Sequence, residues 1–255
     1  METFLFIVNL IGTVAFAAAG AMTGLQKNMD IFGVCVLGLT TAVGGGIVRD
    51  LILGITPPNA FQDPFAAMVA IFVSAVFFLR RFRHFIMQRP ALYERMMLWL
   101  DSIGLGAFTV IGIQIAYETL EAPTLFLLVF VGVVTGAGGG LIRDVMAGNT
   151  PYIFVKHIYA CASLAGALVC AGLWEIAGSA AAMVEGLVTV VLLRWPAWSS
   201  GPWRERWPPC SAAVRLWSPS ASSPPTSAGT CRRHTNDMEK PLFRRRREGG
   251  FFAAR

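Results

Sequence analysis

Apolar residues run in seven stretches along the chain, at about 3–25, 31–53, 64–79, 97–117, 124–147, 155–174 and 176–193, separated by short polar or turn-forming segments. A bilayer core is crossed by roughly 20 apolar residues in a helix. Each stretch therefore predicts a transmembrane helix, and the chain reads as an all-α integral membrane protein. The third stretch is short, and Glu175 and Glu185 make the seventh the weakest, so six spans is the competing count.

Composition agrees with the pattern. Of the 255 residues 55% are hydrophobic and 14% charged, against about 25% charged in soluble domains. The net charge of +6 belongs to the C-terminal end: residues 1–194 hold 10 Lys and Arg against 11 Asp and Glu, and residues 195–255 hold 11 against 4. No basic face exists on the apolar part, which argues against a nucleic-acid partner. Seven helices with short loops leave no room for a soluble catalytic domain. The sequence contains no zinc-protease HExxH, nucleophile elbow or phosphate loop, so neither enzyme activity nor a cofactor is expected. Cys35, Cys161, Cys170, Cys210 and Cys231 show no metal-binding spacing and read as small hydrophobes. Ala17-Ala18-Ala19 resembles a cleavage site, but Glu2 and the absence of early Lys or Arg favour a retained first span.

Loop charge sets the orientation, because cytoplasmic loops carry excess Lys and Arg. The loop around 80–95 holds Arg80, Arg81, Arg83, Arg89 and Arg95, whereas 54–63, 118–123 and the turn near Glu175 hold none. Seven alternating spans then place Lys27, Lys156 and Arg194 inside as well. The N-terminus is expected outside and the C-terminus in the cytoplasm.

The chain repeats itself. Gly44-Gly45-Gly46-Ile47-Val48-Arg49-Asp50, followed by Gly54 and Thr56-Pro57, matches Gly138-Gly139-Gly140-Leu141-Ile142-Arg143-Asp144, followed by Gly148 and Thr150-Pro151, with 8 of 14 positions identical. Ile11-Gly12, Ala15-Phe16 and Gly20 likewise match Ile103-Gly104, Ala107-Phe108 and Gly112. The expected organisation is a three-helix repeat at 1–90, a second at 91–175 and a seventh helix at 176–194. Three is odd, so the second repeat enters the bilayer from the opposite side, which is the inverted-repeat plan of many transporters.

Three successive glycines weaken a helix, at roughly 1 kcal/mol each relative to Ala. They either break the helix, exposing backbone that must line water or be buried in protein, or admit a closely packed neighbour. Duplication in opposite directions, each time before Arg-Asp, favours a break. A charge at helix-centre depth costs about 2.5–3.5 kcal/mol, so Arg49, Asp50, Arg143 and Asp144 are expected to be paired. Adjacent helical residues point about 100° apart, which suggests cross-repeat pairs, Arg49 with Asp144 and Asp50 with Arg143, lining a central path. The alternative is that they fasten the two halves near the membrane boundary. Thr41 and Thr135, three residues before each glycine run, are either pore ligands or back-bonded to their own helices. Asp101, the counterpart of Asn9, reads with Ser102 as a helix-start residue or a partner of Arg95, Lys27 as a topology-setting lysine of the inside loop rather than a gate, and Lys156-His157 as interfacial. Phe77-Phe78 and Phe126 read as lipid-facing, and Met68, Met96 and Met97 as having no special function.

The paired Gly-Gly-Gly-x-x-Arg-Asp segments, each followed by Gly and Thr-Pro in a duplicated three-span chain, resemble the bacterial two-repeat family described as glycine-transporter domains. They are also similar to the prokaryotic trimeric intracellular cation (TRIC) channels. The resemblance covers about residues 3–194. It implies a bacterial inner-membrane homotrimer in contact with membrane lipid, with one pore per subunit and the second and fifth spans kinked at Gly44–Gly46 and Gly138–Gly140. The permeant implied is potassium or another monovalent cation on the channel side, and a small amino acid such as glycine on the other. A membrane scaffold without transport is a third reading. Residues 195–255 depart from the family: they hold 8 of the 14 Pro, 5 of the 7 Trp and the run Arg244-Arg245-Arg246-Arg247. That composition cannot build a core, and it predicts a disordered or out-of-frame tail rather than a lipid-binding polybasic one.

Overall fold

In a computed structural model of the chain, the residues described are 2–79, 90–155 and 157–194. They form the helices α1 (Glu2–Gln26), α2 (Ile31–Ile52), α3 (Asn59–Gln62), α4 (Phe65–Phe78), α5 (Pro90–Thr119), α6 (Leu125–Met146), α7 (Tyr152–Val155), α8 (His157–Ala177) and α9 (Ser179–Arg194). Chain contacts separate Met1–Trp203 from Arg204–Arg255, and every described residue lies in the first unit. The expected cytoplasmic arginines 80–89, Lys156 and the 195–255 tail lie outside the described residues.

Glu2–Gln26, Ile31–Ile52, Leu92–Thr119 and Leu125–Met146 are long and apolar enough to cross a membrane, and Phe65–Phe78 and Tyr159–Trp174 are shorter apolar helices. The first helix continues through Ala17-Ala18-Ala19, all buried. The fourth stretch starts earlier than its hydropathy indicates, because Glu94 and Arg95 are exposed on the first turns of α5 rather than in a loop.

Matching residues begin and end the two helices that carry the glycine motifs. Asp30 caps α2 by accepting from the Gly33 amide at 2.8 Å, and Thr124 caps α6 by accepting from the Leu127 amide at 3.3 Å. Such caps satisfy amides that the helix leaves unpaired. At the other ends, Gly54 and Gly148 adopt φ of +75° and +66°. The following amides, of Ile55 and Asn149, donate back to the carbonyls of Asp50 and Asp144, each at 2.8 Å, completing glycine-stopped helix ends. The glycine after each Arg-Asp is therefore a helix terminator.

The packing is paired in the same way. Helix α1 lies against α2, α4 and α5, while α5 lies against α6, α8 and α9, and α2 lies on α6. At the centre Phe16 and Phe108 meet with ring centroids 5.2 Å apart. Phe16 fills the space left by Gly104, and Phe108 that left by Gly12. Phe77 and Phe78, expected in lipid, instead pack half-buried against the cluster of Ala21, Leu25 and Val34, whereas Phe126 is exposed.

Candidate functional site at the α2–α6 crossing

Helices α2 and α6 run uninterrupted through Gly44–Gly46 and Gly138–Gly140. This corrects the expectation of broken helices: the glycine carbonyls stay in helix, and the missing side chains admit the neighbouring backbone. A Cβ on Gly45 would overlap the Thr135 carbonyl oxygen, and one on Gly139 would overlap the Thr41 carbonyl oxygen. Because 45 meets 135 while 41 meets 139, the helices pass each other in opposite directions. The flanking positions are also filled, Gly44 by Ile142 Cδ1 at 2.7 Å and Gly138 by Gly45 Cα at 3.3 Å from the Cβ position. Small residues serve such close approaches between membrane helices.

Thr41 and Thr135 are fully buried. Their hydroxyls donate to Leu37 O at 2.5 Å and Val131 O at 2.6 Å, which is the back-bonded alternative. Each hydroxyl lies 2.6 Å from where a Cβ would stand on Gly20 or Gly112, so the matching glycines of α1 and α5 make room for them.

The third glycine of each run has another role. The Cβ position of Gly46 lies 3.7 Å from Arg49 Nη2, and that of Gly140 lies 3.7 Å from Arg143 Nη2. Helical side chains lean toward the N-terminus, over the residue three positions back. Glycine there lets the guanidinium fold along its own helix and turn to its neighbour. Arg49 Nη2 lies 2.7 Å from Asp50 Oδ1 and Nε donates to the same oxygen at 2.8 Å. Arg143 Nε donates to Asp144 Oδ1 at 2.9 Å. The expected cross-repeat pairs, Arg49 with Asp144 and Asp50 with Arg143, are therefore incorrect. The 100° separation of adjacent Cβ directions does not limit a side chain as long as arginine.

In the first half, among the described residues, the group ends there, with Asp50 Oδ2 accepting from the Asn59 amide of α3 at 2.8 Å. The second half holds more. Asp101, buried within α5, bridges two arginines: Oδ1 accepts from Arg143 Nη1 at 2.9 Å, and Oδ2 accepts from Arg194 Nη1, at the end of α9, at 3.2 Å. The Arg194 guanidinium lies 4.7 Å from the centroid of the Tyr159 ring. Asp101 is thus neither a helix-start residue nor a partner of Arg95, and Ser102 donates to Leu98 O at 2.5 Å within α5. Sequence reasoning missed the roles of Asp101, Tyr159 and Arg194. The available signal was a lone Asp inside the fourth apolar stretch and an Arg directly after the seventh. Cys35, Cys161 and Cys170 are free.

These features define a multi-pass α-helical membrane protein with two related halves and a buried, charge-paired centre. The chain belongs to the family described as glycine transporter, whose profile matches it twice, over residues 6–81 and 98–175. Among its relatives, a UPF0126 membrane protein of Deinococcus radiodurans is 36% identical over 193 residues, covering 74% of this chain and 85% of the relative. The UPF0126 inner membrane protein YadS of Escherichia coli K12 is 35% identical over 196 residues, 74% of this chain and 91% of YadS. The fold is also that of prokaryotic TRIC channels. One, solved in 0.5 M KCl, superposes with a TM-score of 0.71 at 28% identity, covering 77% of this chain and 96% of the channel. A TRIC trimeric intracellular cation channel orthologue from Rhodobacter sphaeroides gives 0.70 at 32% identity, over 77% and 97%.

Proposed function

We propose that the chain is a monovalent-cation channel of the bacterial inner membrane, with potassium as the permeant. The observation that carries this reading is the similarity to TRIC channels along nearly their whole length. In the proposed assembly, two inverted three-helix repeats and a seventh helix span the membrane with the N-terminus outside and the C-terminus in the cytoplasm. Three subunits associate within lipid, each with its own path beside the α2–α6 crossing. Gly44, Gly45, Gly46, Gly138, Gly139 and Gly140 shape that path by fixing how closely the helices approach. Thr41 and Thr135 lend hydroxyl oxygens, whose lone pairs remain available after back-bonding. Asp50 and Asp144 are the carboxylates a cation meets, and Arg49 and Arg143 hold them neutralised at rest, which reduces the cost of charge at this depth.

A second reading, uptake of glycine or another small amino acid, is favoured by the family's description and by adjacent groups of both charges, which suit the two ends of a zwitterion. Tracer rubidium uptake into proteoliposomes tests the channel reading. Uptake driven by the cation gradient alone is expected, and uptake no greater than in protein-free liposomes would contradict it.

A further inference from the structure

The two halves differ at the positions that surround their shared Arg-Asp motif. Where the first half has Asn9, the second has Asp101, and where the first has Phe65, 94 residues earlier, the second has Tyr159. The second half thus gains a carboxylate and a phenol, and it also gains Arg194 from α9, a helix with no counterpart in the first half. Arg143 by itself does not balance Asp101, because it is shared between Asp101 and Asp144, whereas the matching Arg49 pairs with Asp50. The added negative charge is matched by the second arginine on Asp101, Arg194.

The geometry around Arg194 is that of a cation site. One face is the Asp101 carboxylate, with Oδ2 3.2 Å from Arg194 Nη1. Another is the Tyr159 ring, 4.7 Å below the guanidinium, a distance at which an aromatic face attracts a cation. A third observation is independent of Arg194. The buried Tyr159 hydroxyl has no hydrogen-bond partner among the described residues, and it lies 2.9 Å from the Gly140 Cβ position, which Asp101 Oδ1 and Arg143 Nη2 approach to 3.6 and 3.7 Å. A buried hydroxyl left in this state is unfavourable, and it is placed to supply an oxygen to a cation beside Asp101. Arg194 is also the looser of the two arginines: its contact with Asp101 is longer than the 2.9 Å made by Arg143, and it alone retains some exposure, 8% against 0%.

We propose that Asp101 and Tyr159 form a binding site for a small monovalent cation, that Arg194 fills it as a tethered cation, and that withdrawal of the last turn of α9 opens it. The gating half rests on the channel reading above; the binding half does not. The full chain, its R194A and R194Q variants and the R194A/D101N double variant are melted in detergent with methylguanidinium chloride or with sodium chloride at equal ionic strength. Methylguanidinium is expected to raise the midpoint of R194A and R194Q by several degrees, by binding the folded state, and to leave wild type and R194A/D101N unchanged. Equal shifts in all four proteins, or none in either single variant, would overturn the site. A single variant that purifies folded only with methylguanidinium present reports the same occupancy, and failure to fold with and without it in both overturns the site. In proteoliposomes R194A is expected to pass rubidium several-fold faster than wild type, and methylguanidinium to restore the wild-type rate. Unchanged flux in an R194A protein that binds methylguanidinium overturns the gate and leaves the site. If neither protein passes rubidium, the channel reading fails while melting still decides the site.

Discussion

The backbone carbonyl of Thr135 occupies the space where a side chain on Gly45 would begin, and the carbonyl of Thr41 does the same at Gly139. The two contacts are one contact seen from each repeat, and they bring two antiparallel helices together at a point flanked by the buried Arg-Asp pairs.

Gly45→Ala and Gly139→Ala should therefore destabilise the protein by similar amounts. Neither carbonyl can retreat without moving its helix, so a cost of about 1–3 kcal/mol each is expected for overpacking. Gly172, on α8, has no atom within 4 Å of its Cβ position, and Gly172→Ala should not lower the midpoint. Thermal melting of the three variants in detergent checks the contrast; equal effects at all three positions would remove the close-approach account.

The charge pairs predict a particular failure of rescue. Because Arg49 is held by Asp50 on its own helix, combining Arg49→Asp with Asp144→Arg should be no more stable than the worse single variant. Asp101→Asn should cost about 3–5 kcal/mol, since it leaves two buried arginines short of a partner. Adding Arg194→Gln should recover part of that loss, and a double-mutant cycle measures the coupling. Strictly additive losses would contradict the Asp101–Arg194 pair.

The helix stops can be separated from the crossing. Gly54 and Gly148 have positive φ and open space around them, so Gly54→Ala and Gly148→Ala should each cost about 1–2 kcal/mol through backbone strain alone. Gly54→Asn should cost less, because asparagine tolerates this conformation better. A loss at Gly54→Asn as large as at Gly54→Ala would point to side-chain crowding instead.

The repeat was legible because it rests on identities at fixed spacing: Gly-Gly-Gly-x-x-Arg-Asp, Gly54 with Gly148, and Phe16 with Phe108. Helix positions followed from apolar runs, with the start of α5 the main departure, since Glu94 and Arg95 extend a helix whose apolar part begins near 97. What the glycines do was not legible, because a break and a close crossing place the same demand on sequence, and only a facing backbone separates them. The pairing of Arg49 and Arg143 was misread because Cβ direction was taken for side-chain reach. Gly46 and Gly140, three residues upstream of each arginine, held the missing information. Asp101 was misassigned because its partners, Arg143 and Arg194, lie 42 and 93 residues away.

The central claim is that this fold conducts monovalent cations. Its most direct test is current across a planar bilayer containing the full chain, with a potassium gradient and then with glycine added to one side. The account predicts a current that reverses near the potassium equilibrium potential and is unchanged by glycine. Glycine-dependent, saturable uptake in matched proteoliposomes, with no potassium current in the bilayer, would contradict it and make the chain a carrier.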